Sequence, residues 1–481
     1  MFLINWLRAI ILVFSSLDKL TLPTFGSTIY RIASLSSLYE EHFMTVIEAK
    51  NAKPRINRNA KITVVVFFLF MLLHQTDKLL IGPLQTPIMD TFKMSYFQWG
   101  LINSGALIVG TLFYPLWGWL SDKYNRGKLL AIASFLWGST TWLSALAPNF
   151  KTFLVTRAST GIDDSSYPGM YSLVSDLYSP KVRGKVYGVL QLTQPIGYLI
   201  GMVVALMLTE ALGGWKNIFI ITGSLGIVLA IVIFFTVKDV PRGSGEDELQ
   251  GVEVKQQKFN WKSLSKIFKM KSLWMVYAQG FTGVFPWNVI TYYIFGYLGT
   301  ERGYDETTTL MIMAPAIILM AAGYPAGGWL GDKIFKKNKG GRLIASEIGV
   351  VLGMVGLLLA MNTPNEQVLL FGVLLGLTAF FMPFASPNII STMYDVTLPE
   401  VRASAHSIEN LIETGGAWTA PILAGLLADA TSVGFSIKTI CTAAWSLCVI
   451  FLFLAILFIP KDIGALHKEL EQRALDAGKT S

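Results

Sequence analysis

A chain of 481 residues that is 53% apolar and only 15% charged has too little polar surface for the soluble domains its length would otherwise form. Its apolar residues fall in long runs with brief polar breaks, which makes it an all-α integral membrane protein. The net charge of +8 does not mark a nucleic-acid partner, because the basic residues gather in particular loops and not on one helix face.

The chain opens with an extension and tail, residues 1–60. Met1 to Leu17 is apolar, but Arg8 interrupts it and no small-residue cleavage site follows, so a signal peptide is disfavoured. Two readings stay open: an interfacial or disordered extension, or an upstream start with Met44 as the first residue of a basic tail. Apolar runs of about 20 residues then predict six spans near 62–86, 97–120, 128–147, 151–176, 185–209 and 215–237, forming a first bundle over 61–238. A charged linker over 239–271 follows. Six more spans are predicted near 272–299, 308–331, 342–361, 366–394, 402–428 and 435–459, a second bundle over 272–460 before a tail over 461–481. Cys441 and Cys448 both lie in the last span, where cysteine behaves as a small buried hydrophobe.

Lys and Arg collect at 50–61, 123–128, 181–185, the linker, 333–342 and beyond 460, all on one side of a twelve-span chain. Loops 148–151, 210–214 and 300–306 are poor in them. Both termini and the linker are therefore expected to be cytoplasmic, in a cell-membrane protein contacting lipid.

The two bundles are related. Gly118-Trp119-Leu120-Ser121-Asp122-Lys123 recurs as Gly328-Trp329-Leu330-Gly331-Asp332-Lys333, offset by 210. Asp176, Pro180, Val182 and Arg183 recur as Asp395, Pro399, Val401 and Arg402, offset by 219, as do Pro168 and Pro387. Both copies follow the second and fourth spans of their halves, so the repeat unit is six helices in parallel orientation.

The run Gly118-Trp-Leu-Ser-Asp122-Lys123-Tyr-Asn125-Arg126-Gly-Lys128 resembles the signature of the major facilitator superfamily, Gly-x-x-x-Asp-Arg/Lys-x-Gly-Arg-Arg/Lys, with Asn125 and Gly127 departing from it. The resemblance covers roughly residues 60 to 460 and implies twelve transmembrane helices in two six-helix halves that rock about a central site. A carboxylate at a helix end can pair with an arginine and hold neighbouring helices together on the cytoplasmic side. Asp122 with Arg183 and Asp332 with Arg402 are the candidate latches, with Gly118, Lys123, Arg126 and Lys333 beside them; simple anchoring of the loops is the alternative.

Ionisable residues inside spans are costly unless paired or wetted, so each is a candidate site residue. They are His74, Asp77 and Lys78 in the first span; Arg157, Asp163 and Asp164 in the fourth; Glu347 in the ninth; and His406, Glu409 and Glu413 in the eleventh. Helical spacing lets His74 and Asp77 share one surface with Lys78 turned aside. Arg157 and Asp164, seven apart, are separated by roughly 10 Å along the axis, which leaves Arg157 free to meet Asp77. The resemblance implies that spans one, four, seven and ten line the cavity. Asp77 or Asp164 is thus expected to couple proton or sodium movement to transport, with Arg157 binding an anionic group; a fixed structural pair between spans one and four is the alternative.

Arg157-Ala-Ser-Thr-Gly-Ile-Asp-Asp164-Ser-Ser-Tyr167-Pro168, with Asp77-Lys78 before it, is similar to the spinster-type branch, with Asp164 for its glutamate and Lys78 for its arginine. Tyr167-Pro168-Gly169 is also similar to organic-anion and sugar-acid symporters. A polar stripe of Tyr187, Gln191, Gln194 and Tyr198 in the fifth span matches His406, Glu409 and Glu413 in the eleventh, for interhelical bonds or for binding. Trp287, Asn288, Tyr292 and Tyr293 in the seventh span offer stacking surface to an organic solute, or anchor the helix at the interface.

A monomeric secondary transporter of a small organic solute, an organic anion or an amphipathic lipid-like molecule, fits these features. A facilitative uniporter or a non-transporting sensor on the same fold is the alternative. No cofactor or metal is expected: there is no phosphate-binding loop, Gly478-Lys479-Thr480 having Arg473 where the first glycine belongs, and His42, His74, His406 and His467 lack ligand spacing. Nothing in the sequence supports an enzyme.

Overall fold

The computed structural model describes residues 58–164, 166–178, 180–241, 244, 268–398 and 402–478, and these are helical, with no strand among them. In a bilayer this is the required answer for an open chain, since a helix satisfies its own backbone groups.

The first half contains α1 (Arg58–Leu79), a short α2 (Gln85–Phe92), α3 (Tyr96–Lys123) and α4 (Arg126–Ala145). The fourth expected span is broken into α5 (Phe150–Ser159), α6 (Gly161–Asp164) and α7 (Tyr167–Leu177). Then come α8 (Pro180–Gln191), α9 (Thr193–Met207) and α10 (Trp215–Thr236). The second half holds α11 (Lys271–Gly283), α12 (Phe285–Gly296), α13 (Glu306–Phe335) and α14 (Gly341–Met361). It is completed by α15 (Val368–Phe381), α16 (Ala385–Val396), α17 (Arg402–Ala430) and α18 (Val433–Gly478).

Local chemistry fixes several starts. Ser95 accepts from the Gln98 N–H while the Gln98 side chain accepts from the Ser95 N–H, a capping box at the head of α3. Asn125, Asn149 and Asp305 cap α4, α5 and α13 with side-chain oxygens. Those hydrogen bonds, with Thr308 as the donor, hold the Asp305 carboxyl below its ordinary range.

Nine described helical segments are long and apolar enough to cross a membrane. The remaining three expected spans are α4, the broken α5–α7 run and the α11–α12 pair. In α4 the hydroxyls are spent inside the protein: Ser134 bonds the Gly226 carbonyl and Ser144 the Thr140 carbonyl, both buried. The apolar side chains left exposed, among them Leu112, Phe235 and Leu369, suit a lipid-facing surface. Cys441 and Cys448 are buried free thiols.

Two boundaries differ from the sequence expectation. The first helix stops at Leu79, before the turn that leads into α2. The last runs through Pro460 to Gly478, because the segment after the proline is rich in Ala, Leu, Glu and Lys.

Within the first half α4 packs on α10 and α1 on α9; within the second, α11 packs on α18 and α13 on α15. The halves meet along α3 against α17 and α9 against α13. One end of that seam is tightly closed. Asp429 accepts from the Tyr96 and Phe97 N–H groups at 2.7 and 2.9 Å, Tyr293 donates to the Pro421 carbonyl at 2.7 Å, and Trp99 donates to the Tyr292 carbonyl at 2.9 Å.

Candidate functional site

The side chains of α1 and of the broken fourth run meet in a buried polar cluster. His74 stands between Tyr167, whose hydroxyl is 2.6 Å from Nδ1, and Asp163, whose Oδ2 is 2.7 Å from Nε2. With Asp163 ionised, Nε2 donates to it, Nδ1 accepts from Tyr167, and Gln75 donates to the same phenol oxygen at 3.3 Å. Lys78 donates to Asp164 at 2.8 Å, and the other Asp164 oxygen is 3.5 Å from His74 Nε2. These groups continue into a small cavity of about 30 Å³, which also touches Asp77, Arg157 and Tyr292.

The pairing of faces differs from the sequence expectation. His74 and Lys78 share the face toward Asp163 and Asp164, whereas Asp77 turns to α4 and α10. Four residues rotate a helix by about 40° from alignment and three by about 60°. Asp77 accepts from Trp137 Nε1 at 3.0 Å, Thr141 at 3.1 Å and Thr222 at 2.6 Å. Arg157 does approach it, at 3.9 Å, while its guanidinium lies 5.2 Å from the centre of the Phe219 ring. Arg157 Nη1 is buried without a hydrogen-bond partner, as are Asp164 Oδ1 and Asn103 Oδ1. The geometry therefore offers a desolvated cation and a carboxylate already bound to a second, partly exposed cation.

Ligand atoms of His74, Asp163 and Asp164 lie within 4.8 Å of one another. Lys78 and Tyr167 already engage this set, so a metal ion would have to displace Lys78 from Asp164.

A second, larger cavity of about 410 Å³ lies mainly in the second half. It brings together five of the sequence candidates, Gln194, Trp287, His406, Glu409 and Glu413. Asn288 lines neither cavity and donates to the Val284 carbonyl at 3.0 Å. Glu347 lines neither as well. In the stripe of the fifth span, Tyr187 bonds the Tyr171 carbonyl at 2.9 Å, and Tyr198 packs edge-on to Trp287.

At the edge carrying the repeated motif, the side chains of Asp122, Arg183 and Arg402 lie outside the described residues, so the expected latches have one or both partners undescribed. Arg126 is fully buried and bridges Asp176 at 2.5 Å and Asp239 at 2.8 Å, joining the ends of α7 and α10. Arg342 holds Asp332 at 2.9 Å and also binds Asp395, the repeat partner of Asp176. Asp332 is thus engaged by Arg342. Lys123 and Lys333 lie over Trp119 and Trp329, 4.4 and 4.8 Å from the ring centres. Gly118, at the head of the first motif copy, faces open space.

The family profile described as Major Facilitator Superfamily matches residues 66–417. The chain belongs to the major facilitator superfamily. It is a multi-pass membrane protein of a transporter family. Protein spinster of Drosophila melanogaster is 24% identical over 78% of this chain and 63% of its own length. Protein spinster homolog 1 of Xenopus laevis is 26% identical over 43% of this chain, which spans only 38% of that relative. The probable L-galactonate transporter of Escherichia coli is 25% identical over 83% of this chain and 90% of its own length. Among solved structures, a bacterial homolog of the human lysosomal transporter Spinster, inward-facing and unoccupied, superposes with a TM-score of 0.73 over 86% of this chain and 99% of its own, at 18% identity.

Sequence reasoning singled out the charged members of the buried cluster but not their supports. Trp137, Thr141 and Thr222 look like ordinary members of apolar helices. Gln279, buried beside the larger cavity, carried no signal beyond being polar within a span.

Proposed function

We propose that the chain is a secondary active transporter of a small organic anion, of the sugar-acid type, working by alternating access with a proton as the coupling ion. The observation that carries this reading is the Lys78–Asp164 pair beside Nη1 of Arg157, which makes no hydrogen bond and only a loose 3.9 Å approach to Asp77. An arriving carboxylate competes with Asp164 for Lys78 and takes the free donor of Arg157. Asp164, released from its cation in a poorly hydrated site, then accepts a proton, with His74 and Asp163 beside it to exchange one. Asp77, saturated by three donors, serves as the anchor of this arrangement.

Similarity to the Escherichia coli L-galactonate transporter and to the hexuronate transporter of Bacillus subtilis, 24% identical over 76% of this chain, supports a sugar acid. Sodium is the weaker choice of ion, since hard cations take oxygen ligands and an imidazole sits at the centre of the cluster. The basic loops support a cell-membrane protein with both termini in the cytoplasm; in that orientation the closed end of the seam lies on the opposite side and the site would face inward.

The test is uptake of radiolabelled galactonate and glucuronate into proteoliposomes under imposed pH or sodium gradients. We expect accumulation driven by external acid and lost in Lys78→Gln and Arg157→Gln. Downhill flux indifferent to both gradients would assign a uniporter instead, and no flux of either acid would overturn the reading.

A further inference from the structure

The larger cavity has chemistry opposite to that of the first site. Glu409 is buried and Glu413 half-buried one turn later on α17, and no Lys or Arg is among the described residues lining the space around them. His406 Nδ1 lies 3.5 Å from Glu409 Oε2. Opposite them on α11, Gln279 is 5% exposed, and its Oε1 has no hydrogen-bond partner. Gly280 leaves room for the Glu409 carboxylate against α11, where a β-carbon would stand 3.2 Å from Oε1. Among the described residues the cavity thus collects oxygen acceptors, with His406 as its one basic side chain and no permanently charged cation. Two carboxylates in such a place call for a cation or a proton.

Size and walls choose among cations. A volume of about 410 Å³ is far beyond a bare ion, and Trp287, Tyr324 and Met320 line it with aromatic and thioether surface. Such walls suit an organic ammonium, which gains from aromatic faces as well as from carboxylates. The two sites are also joined by one helix: Tyr292 of α12 lines the small cavity and Trp287 the large one, roughly 8 Å apart along the axis by helical rise.

We propose that the larger cavity recognises a protonated amine, and that the carrier therefore also accepts a zwitterionic, amino-substituted acid whose carboxylate meets Lys78 and Arg157 while its ammonium meets Glu409, Glu413 and the Gln279 carbonyl. The zwitterion rests on the organic-anion reading above; the amine site stands on the second cavity alone.

The experiment is equilibrium binding to the purified full-length protein of three matched homologous series: ω-aminocarboxylates, the corresponding carboxylates and the corresponding alkylamines. At the best chain length, we expect an aminocarboxylate to bind at least about tenfold more tightly than the carboxylate without the amine. Glu409→Gln/Glu413→Gln should erase that difference and the binding of alkylamines, and Lys78→Gln should weaken carboxylates while sparing alkylamines. Glu413→Gln alone, at a half-buried position, provides the same reading if the double variant does not fold. Alkylamines that bind with carboxylates failing to bind would sink the anion reading and keep the amine site. Alkylamines that fail to bind, or bind equally to Glu413→Gln, would overturn the amine site whatever the carboxylates do.

Discussion

Asp77 and Asp164 are both aspartates facing a cation within the first half, yet their surroundings give them different work. Asp77 accepts three hydrogen bonds from Trp137, Thr141 and Thr222 and is approached by Arg157. Asparagine there would remove the nearest counter-charge of the buried Arg157, at a cost of about 3 kcal/mol. Asp164 has one oxygen without a hydrogen-bond partner and the other on a partly exposed lysine. Asp77→Asn should therefore lower the melting temperature in detergent clearly, while the protein that survives still accumulates solute along a proton gradient. Asp164→Asn should melt near the parent and lose gradient-driven accumulation. The reverse pattern in the two assays would exchange the roles assigned to them.

At the scale of elements, the run of apolar segments was legible because a membrane span needs length and apolarity, which composition displays directly. The repeat was legible because loop-edge residues such as Asp176 and Asp395 recur at one offset, and both prove to bind an arginine. What was hidden was rotation and interruption. Nothing in the residue pattern told that the fourth span breaks at Thr160, or that His74 sides with Lys78 and not with Asp77, since both depend on which helix packs alongside. Gly161 shows the cause. It lies so close to α3 that a β-carbon would overlap the Ala106 carbonyl. Gly161→Ala should push the two helices apart, disturb the Asp163–Asp164 turn that follows, and destabilise by about 2 kcal/mol, visible as a lowered melting temperature. An unchanged melting temperature would mean that the backbone yields there without cost.

At the scale of the molecule, the closed end of the seam depends on an unusual division of labour between the halves. Asp429, at the end of α17, places its carboxylate on the first two N–H groups of α3, which belong to the other half. An anion at a helix N-terminus gains from orphan donors and from the helix dipole together, roughly 1 kcal/mol where solvent reaches it. The remaining closing contacts, Tyr293 on the Pro421 carbonyl and Trp99 on the Tyr292 carbonyl, are neutral. Removing the charge should thus shift the balance between closed and open populations by about fivefold without unfolding either bundle. Spin labels at Asp90→Cys and Thr431→Cys, two exposed positions flanking the seam, read this directly, because the native Cys441 and Cys448 are buried. With Asp429→Asn the distance distribution should gain weight at longer separations, and flux through the carrier should change with it. A distribution identical to that of the parent would show that the seam is held by its neutral contacts alone, and that the carboxylate on α3 only caps a helix.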